Sequence, residues 1–366
     1  MAVCFDEKNN TFTLNTDNSS YQFMTDRHGF LLHLYYGPSA EGNAEYLLQY
    51  VDRGFSGNPS CAKNDRNYSM DVLPLEMPVW GNGDFRSSAL VIEKGNGTRG
   101  AEFKYISHRI LEGKFTLPGL PAVYADKREA QSLEVTLADD LLGLKMKLLY
   151  GVLPELDIIT RSVQIINNSD ETVFIDKILS ASLDFVYGEY DLITFCGRHM
   201  MERGVVRQRV TAVSQRIGSR RGTSSHQYNP FIILAEPETG DSHGVCMAME
   251  LVFSGGFLAE AERDQFGTTR VQMGLCEEGF HYPLGSGETF TAPEVIMACC
   301  DEGFDGLSLR LHRCISAHVC RGFYKGKARP VLINSWEANY FDISREKLLK
   351  LAQEAKELGI EMLVID

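Results

Sequence analysis

Polar and aromatic residues follow two short apolar segments near the end of the sequence. Asn334–Glu337 comes directly after the apolar run Val331–Ile333, and Asp366 comes directly after a second, mostly apolar run, 360–365. An indole ring can stack on the C–H face of a sugar, and a carboxylate accepts hydrogen bonds from its hydroxyls. Trp336 and Asp366 are therefore candidate carbohydrate ligands, with a packing tryptophan and a capping aspartate as the structural alternative.

The segments that carry these residues have the pattern of a strand, a helix and a second strand. A continuously apolar run such as Val331–Ile333 is typical of a strand buried on both faces of a parallel sheet. The helix is predicted to begin at Asp342 or Ser344 and to end before Gly359, since glycine favours the left-handed conformation that terminates helices. Its apolar residues lie on one stripe: Leu348, Leu351, Ala352, Ala355 and Leu358.

A single strand-helix-strand unit leaves sheet edges and apolar faces uncovered. We therefore expect the sheet to continue beyond residue 366 as a (β/α)8 barrel, of which this chain holds only the first β-α-β unit. In such barrels the catalytic groups lie at the carboxyl ends of the strands, which is where Trp336 and Asp366 fall.

Up to about residue 300 the hydrophobic period is two, with turn signals between short runs. Leu133, Val135 and Leu137 alternate with polar residues, and the same alternation resumes after Asp139-Asp140. Half-buried strands joined by tight turns predict a large antiparallel sandwich with one sheet laid over another. The period changes to a helical one at Leu307, Leu311, Cys314, Ile315 and His318. A polar, basic link follows it, so we predict domains at 1–328 and 329–366.

Composition restricts the class of protein. The chain has 366 residues with 36 Lys+Arg against 49 Asp+Glu, a net charge of −13, which argues against nucleic acid as the main partner. No apolar run reaches the ~18–20 residues of a membrane span, so no membrane association is expected. The N-terminus lacks the pattern of a signal peptide, and the nine cysteines lack disulfide spacing. We expect a cytoplasmic protein.

Three other motifs have plain structural interpretations. Gly95–Gly100 matches G-x-G-x-x-G, but a strand follows it, so a hairpin turn is expected rather than a phosphate site. His312, Cys314, His318 and Cys320 resemble two metal half-sites, yet only two of the four can face one ion on a helix, so no metal is expected. Ser224-Ser225-His226 lacks a third orienting group for a catalytic triad, and Ser219–Gln227 is predicted to be a hydrogen-bonded loop.

Several long motifs in order resemble the α-galactosidases of glycoside hydrolase family 36. Arg329–Asp342 and Leu363–Asp366 are similar to the start of that family's catalytic barrel. The motifs of its N-terminal β-supersandwich are matched by Gly81–Arg86, Tyr105–Ile110, Leu117–Pro121, Ser219–Gln227 and Asp264–Val271. The resemblance covers nearly the whole chain and implies a β-supersandwich followed by an incomplete (β/α)8 barrel.

The resemblance also implies an activity, partners and site residues. It implies retaining hydrolysis of terminal α-1,6-linked galactose from sugars such as melibiose and raffinose, with no cofactor. The nucleophile and acid/base aspartates would follow residue 366, so we assign no catalytic residue here and expect the chain alone to be inactive. Asp366 and Trp336 would bind galactose. Family members are often tetramers in which a neighbour's N-terminal loop reaches the site; Asp52 and Arg66, at the ends of the similar loop, would be those contacts.

Two alternatives stay open. Galactosyl transferases and α-N-acetylgalactosaminidases share this architecture, and the residues that distinguish them would lie beyond residue 366. A non-catalytic sandwich module for sugar binding or oligomer assembly is the other alternative, although exposed barrel strands would make such a chain prone to aggregation.

Overall fold

The computed structural model describes residues 2–54 and 58–366. Backbone contacts divide the chain into two compact units, Met1–Val319 and Cys320–Asp366. The predicted boundary between residues 328 and 329 falls within the second of these units.

The first unit is built almost entirely from antiparallel strands. Its strands and its helix are β1 Val3–Asp6, β2 Thr11–Asn15, β3 Ser19–Thr25, β4 Leu31–Pro38, β5 Leu90–Lys94, β6 Lys104–Glu112, β7 Gln131–Asp139, β8 Leu144–Leu153, β9 Ile158–Asn167, β10 Val173–Phe185, β11 Asp191–Arg198, β12 Met201–Arg209, β13 Gln215–Ser219, β14 Tyr228–Ala235, β15 Cys246–Leu251, β16 Phe257–Arg263, β17 Thr269–Leu275, β18 Tyr282–Leu284, β19 Thr289–Thr291, β20 Val295–Cys300 and α1 Gly303–Cys314.

These strands form open sheets. Strands β1 to β4 make a four-stranded meander. A ten-stranded sheet runs β12-β11-β14-β15-β20-β9-β8-β7-β6, with β19 paired to β9, and a six-stranded sheet runs β13-β16-β17-β10-β18, with β5 paired to β10. One hydrophobic core joins residues from all of them, for example Phe23 of β3, Leu148 of β8 and Val271 of β17. This confirms the predicted β-supersandwich, in which sheets cover one another.

The middle of the ten-stranded sheet is buried on both faces. Along β20, Val295, Met297 and Cys299 belong to the central core. The residues between them, such as Ile296 and Ala298, belong to a second core that includes Leu307, Leu311 and Cys314 of α1. The continuous apolar sequence of β20 therefore serves two cores, one on each side of the pleat. The predicted helical stripe is confirmed as the face that covers this sheet.

The central core contains a fully buried ionic cluster around Glu76. Tyr21 and Tyr150 each donate a hydroxyl hydrogen bond of 2.6 Å to Glu76 Oε1. The guanidinium of Arg161 lies 3.0 Å from the same oxygen, and both side chains are 0% exposed. Burial alone would raise the pKa of Glu76, but Arg161 and hydrogen bonds that include one from His33 outweigh it and lower the pKa.

The second unit is a β-α-β unit, as predicted. Its elements are β21 Leu332–Asn334, α2 Trp336–Asn339, α3 Arg345–Glu357 and β22 Met362–Val364. The two strands pair in parallel, with Asn334 opposite Val364. Ser344, rather than Asp342, caps α3 by accepting a hydrogen bond from Lys347 N, and Gly359 has the left-handed φ of 80° that ends it.

Several apolar side chains of this unit are exposed in the chain. Leu332 of β21 and Met362 of β22 are 49% and 37% exposed, and Leu358, placed on the apolar stripe of α3, is 82% exposed. This agrees with the expectation that a single β-α-β unit, with two strands and one long helix, leaves sheet edges and apolar faces uncovered. In the part of the chain that the structure describes, no helix has the length and apolar character needed to cross a membrane.

Candidate active site

Parallel pairing of β21 and β22 brings the two predicted strand ends side by side. Ser335 N donates to Val364 O over 2.9 Å, which extends the ladder by one residue past β21. Asp366 N in turn donates to Ser335 Oγ over 3.2 Å. Ser335 is 0% exposed, so the backbone at both strand ends is fixed by a buried hydroxyl. The residues at the two carboxyl ends therefore share one edge of the sheet.

The side chain of Asn334 connects the two candidate ligands. Its Oδ1 accepts a 2.7 Å hydrogen bond from Trp336 N, and its Nδ2 donates a 2.9 Å hydrogen bond to Asp366 Oδ2. A backbone N–H can only donate, so the amide oxygen must face Trp336 and the amide nitrogen must face the carboxylate. One amide therefore fixes the start of α2 and the position of Asp366.

Trp336 is the first residue of α2 and is partly buried. Its ring meets those of Tyr340 and Phe341 edge to face, with centroids 5.5 and 4.9 Å away. Edge-to-face packing holds the indole in one orientation. An aromatic wall beside a carboxylate can bind a sugar through its C–H face and its hydroxyls together.

The other two predicted ligands lie in the first unit. Arg66 Nε lies 3.1 Å from Asp52 Oδ1, and the two side chains are 67% and 52% exposed. Asp52 Oδ1 also accepts a hydrogen bond from Gly54 N, and Arg53 N bonds Arg66 O, so the two ends of the loop are tied together. Residues 55–57 of this loop lie outside the described residues. The structure thus brings Asp52 to Arg66 in one unit and links Trp336 to Asp366 in the other.

Two residues at these sites were not predicted to have a role there. Asn334 stands at a strand end, but its bridging role depends on the pairing of β21 with β22. Arg53 follows Asp52, and its guanidinium lies 4.9 Å from the ring centre of Phe266 and 2.6 Å from Asp71 Oδ2. The position of the charged Arg53 next to the predicted ligand Asp52 was the sequence signal that could have indicated a residue that holds this loop in place.

The three motifs with structural interpretations have structural roles. Gly97 N bonds Lys94 O, and Lys94 N bonds Thr98 O, so Gly95–Gly100 contains a tight turn after β5. Cys314 is buried in the core under α1, while His318 Nδ1 lies 2.8 Å from Tyr124 O. Ser224 N bonds Ser254 O, and Ser225 pairs with Tyr228 in an isolated bridge, so this segment is a hydrogen-bonded loop.

Known proteins and family models match this chain over nearly its whole length. A model of the glycosyl hydrolase family 36 N-terminal domain matches residues 29–285, and a melibiase model matches residues 289–366. The chain is 50% identical to the bifunctional alpha-galactosidase/sucrose kinase AgaSK of Mediterraneibacter gnavus, over 100% of its own length and 39% of that protein. It is 39% identical to alpha-galactosidase AgaA of Geobacillus stearothermophilus, over 100% of its length and 50% of AgaA.

Solved structures agree with these relatives. The galactosidase domain of AgaSK superposes with a TM-score of 0.97 at 50% identity, covering 99% of this chain and 50% of that one. An AgaA variant in complex with 1-deoxygalactonojirimycin gives 0.94 at 39% identity, covering 97% of this chain and 50% of that one.

The sheets and the matching relatives define the class: the chain has the β-supersandwich found in the N-terminal portions of glycoside hydrolases. The chain belongs to glycosyl hydrolase family 36. It spans about half of the length of AgaA and less than half of AgaSK.

Proposed function

We propose that this chain is the N-terminal part of an α-galactosidase that removes terminal α-1,6-linked galactose from melibiose- and raffinose-type sugars with retention of configuration. The observation that carries the proposal is the cluster of Asn334, Trp336 and Asp366 at two adjacent strand ends in a chain of this family. It is supported by relatives named as alpha-galactosidases, one of which is AgaA; variants of AgaA have been solved in complex with raffinose and with stachyose.

In this proposal the described residues bind the sugar and hold it in place. Asp366 accepts hydrogen bonds from galactose hydroxyls, and Trp336 forms an apolar wall against the C–H face of the ring. Asp52 and Arg66 contact the substrate from a neighbouring subunit of a cytoplasmic homotetramer. The described ends of their loop are joined by the Arg53 N–Arg66 O hydrogen bond and support that role because both charged side chains are exposed there.

The bond-breaking groups come from the remainder of the protein. Retaining hydrolysis needs two carboxyl groups about 5–5.5 Å apart, one as nucleophile and one as acid/base. We place both on later strands of the barrel, since the curated relatives are about twice as long as the region they share with this chain. The present residues thus supply substrate binding and the start of the barrel.

The test is an assay of the product of the full reading frame. A chromogenic α-galactoside, melibiose and raffinose should be hydrolysed, while the β-galactoside and the α-N-acetylgalactosaminide should be poor substrates. NMR of the first product formed should show the α-anomer of galactose. Release of β-galactose would contradict retention, and transfer of galactose to an acceptor sugar without hydrolysis would identify a transferase instead.

A binding variant connects this assay with the site. Asp366→Asn keeps the size of the side chain but removes the charge that accepts sugar hydroxyls, so kcat/KM should fall about 10- to 100-fold. Asp126→Asn, at an exposed carboxylate paired with Arg128 on the sandwich surface, is the matched control. If both variants kept wild-type activity, Asp366 would have no part in substrate binding.

A further inference from the structure

We propose that Asn334 is a positioning residue for substrate binding, which orients Asp366 toward galactose and fixes the start of the helix that carries Trp336. The inference rests on the proposed function, because it assigns a support to the same sugar site. Asn334 would not touch the substrate, and its two hydrogen bonds would act through its neighbours.

The geometry allows one orientation of the amide only. Oδ1 is held by Trp336 N at 2.7 Å, so Nδ2 must point to Asp366 Oδ2 at 2.9 Å. A donor aimed at one carboxylate oxygen leaves the other oxygen, Oδ1, for sugar hydroxyls. Ser335 Oγ is the second described partner of Asp366. It accepts a hydrogen bond from the Asp366 backbone N–H and does not contact the carboxylate.

Within the described residues of this unit, no charged side chain forms an ion pair with Asp366. On the adjoining helix α2, the carboxylate of Glu337 has a hydrogen bond of its own, from the Tyr340 hydroxyl at 3.2 Å. Glu361, which directly precedes β22, accepts a hydrogen bond from Val331 N, at the opposite end of the strand from Asp366. Among the described residues, the amide of Asn334 is therefore the side chain that orients the Asp366 carboxylate.

Asn334→Asp separates this role from a general loss of structure. The new carboxylate is similar in size to the amide and can still accept from Trp336 N, but it faces the carboxylate of Asp366 in place of a donor. Two close carboxyl groups share one proton as the pH falls. The protonated form then donates to Asp366 as the amide did, so activity should return toward acid pH.

The experiment measures kcat/KM against pH for the full-length enzyme and the N334D variant on a chromogenic α-galactoside. At neutral pH the variant should lose about 10- to 100-fold in kcat/KM, mostly through KM, because one charge-assisted hydrogen bond is lost. Relative to wild type, the loss should shrink as the pH falls. The dissociation constant of 1-deoxygalactonojirimycin should change with the same pH dependence.

Two further variants control the comparison. Asn96→Asp makes the same chemical change in a turn with the same geometry, where Asn96 Oδ1 accepts from Thr98 N at 3.0 Å, and should leave the pH profile unchanged. Asn334→Ser keeps a short acceptor for Trp336 N but no donor that reaches Asp366. It should weaken binding at every pH without acid recovery.

A crystal structure of N334D at both ends of the pH range supplies a readout that does not depend on activity. We expect the carboxyl groups at positions 334 and 366 to lie apart at high pH and within hydrogen-bond distance at low pH. Equal separations, or an N334D profile identical to wild type and N96D, would overturn the positioning role. A wild-type enzyme that hydrolyses no α-galactoside would instead refute the proposed function, while the crystallographic test would still decide the role of Asn334.

Discussion

Arg270 and Asp184 form a buried ion pair directly opposite each other on strands β17 and β10. Arg270 Nε donates to Asp184 Oδ1 and Nη2 donates to Oδ2, each over 2.7 Å. The same guanidinium lies 2.8 Å from Asp84 Oδ2, so the motifs Gly81–Arg86 and Asp264–Val271 meet inside the sandwich. A buried ion-pair network therefore links these two motifs within the fold.

Replacement of the guanidinium tests the contribution of this pair to stability. Arg270→Lys removes the two-pronged geometry and leaves polar groups of Asp184 and Asp84 buried without full partners. We expect the free energy of unfolding to fall by about 3–5 kcal/mol. Arg109→Lys is the control, since Arg109 also faces a carboxylate across two strands, that of Glu134, but is 61% exposed. It should change stability by no more than about 1 kcal/mol. Guanidinium chloride unfolding followed by circular dichroism measures both, and equal losses would contradict the role of burial.

The buried Glu76 cluster should make stability depend on pH. Its native pKa is lowered, so its contribution is complete above the unfolded carboxyl pKa and is lost as the pH falls through the native value. Glu76→Gln leaves Arg161 buried without its charge partner and should cost about 3–5 kcal/mol at neutral pH. The difference between wild type and variant should shrink in acid. Glu93→Gln, in an exposed pair with Arg99, should show neither effect. A loss of stability in E76Q that did not change with pH would show that the packing of the Glu76 side chain, and not its charge, stabilises the fold.

Subunit mixing tests whether Asp52 acts in a neighbour's site. Asp52→Asn and Asp366→Asn should each lower kcat/KM about 10-fold or more, since each removes a charged hydrogen-bond acceptor. If Asp52 of one subunit serves the site of another, co-expression of the two variants creates some sites with both lesions and some with neither. Activity on an α-galactoside should then exceed that of either variant alone. Activity equal to the average of the two parents would place Asp52 and Asp366 in the same subunit's site, or Asp52 in none.

Gly81 is required by a close backbone approach. It has a φ of 94°, and a Cβ at this residue would lie 2.6 Å from Gly100 Cα, which belongs to the backbone and cannot rotate away. Gly81→Ala should therefore cost about 1–3 kcal/mol in strain. Gly95→Ala, where a Cβ meets nothing within 4 Å, should be close to neutral. Thermal unfolding of the two variants measures the difference, and equal melting temperatures would refute it.

The sequence by itself determined the strands, because alternation with a period of two records which side chains face a core. Leu133, Val135 and Leu137 were predicted from that alternation and are at most 3% exposed. It also determined the β-α-β unit, since Gly359 and the α3 stripe are local signals. Such local signals predict the structure correctly because they depend only on the backbone conformation of a residue and on the two faces of one element.

The tertiary structure decided which surfaces the elements share. The apolar run of β20 carries no period, since its two faces are buried against different partners, and only the packing of α1 shows this. Asn334 and Asp366 likewise become neighbours only because β21 pairs with β22 in parallel, so that two strand ends distant in the chain meet at one edge. Sequence patterns report the environment of a residue, whereas the identity of its distant partner depends on the pairing of whole strands.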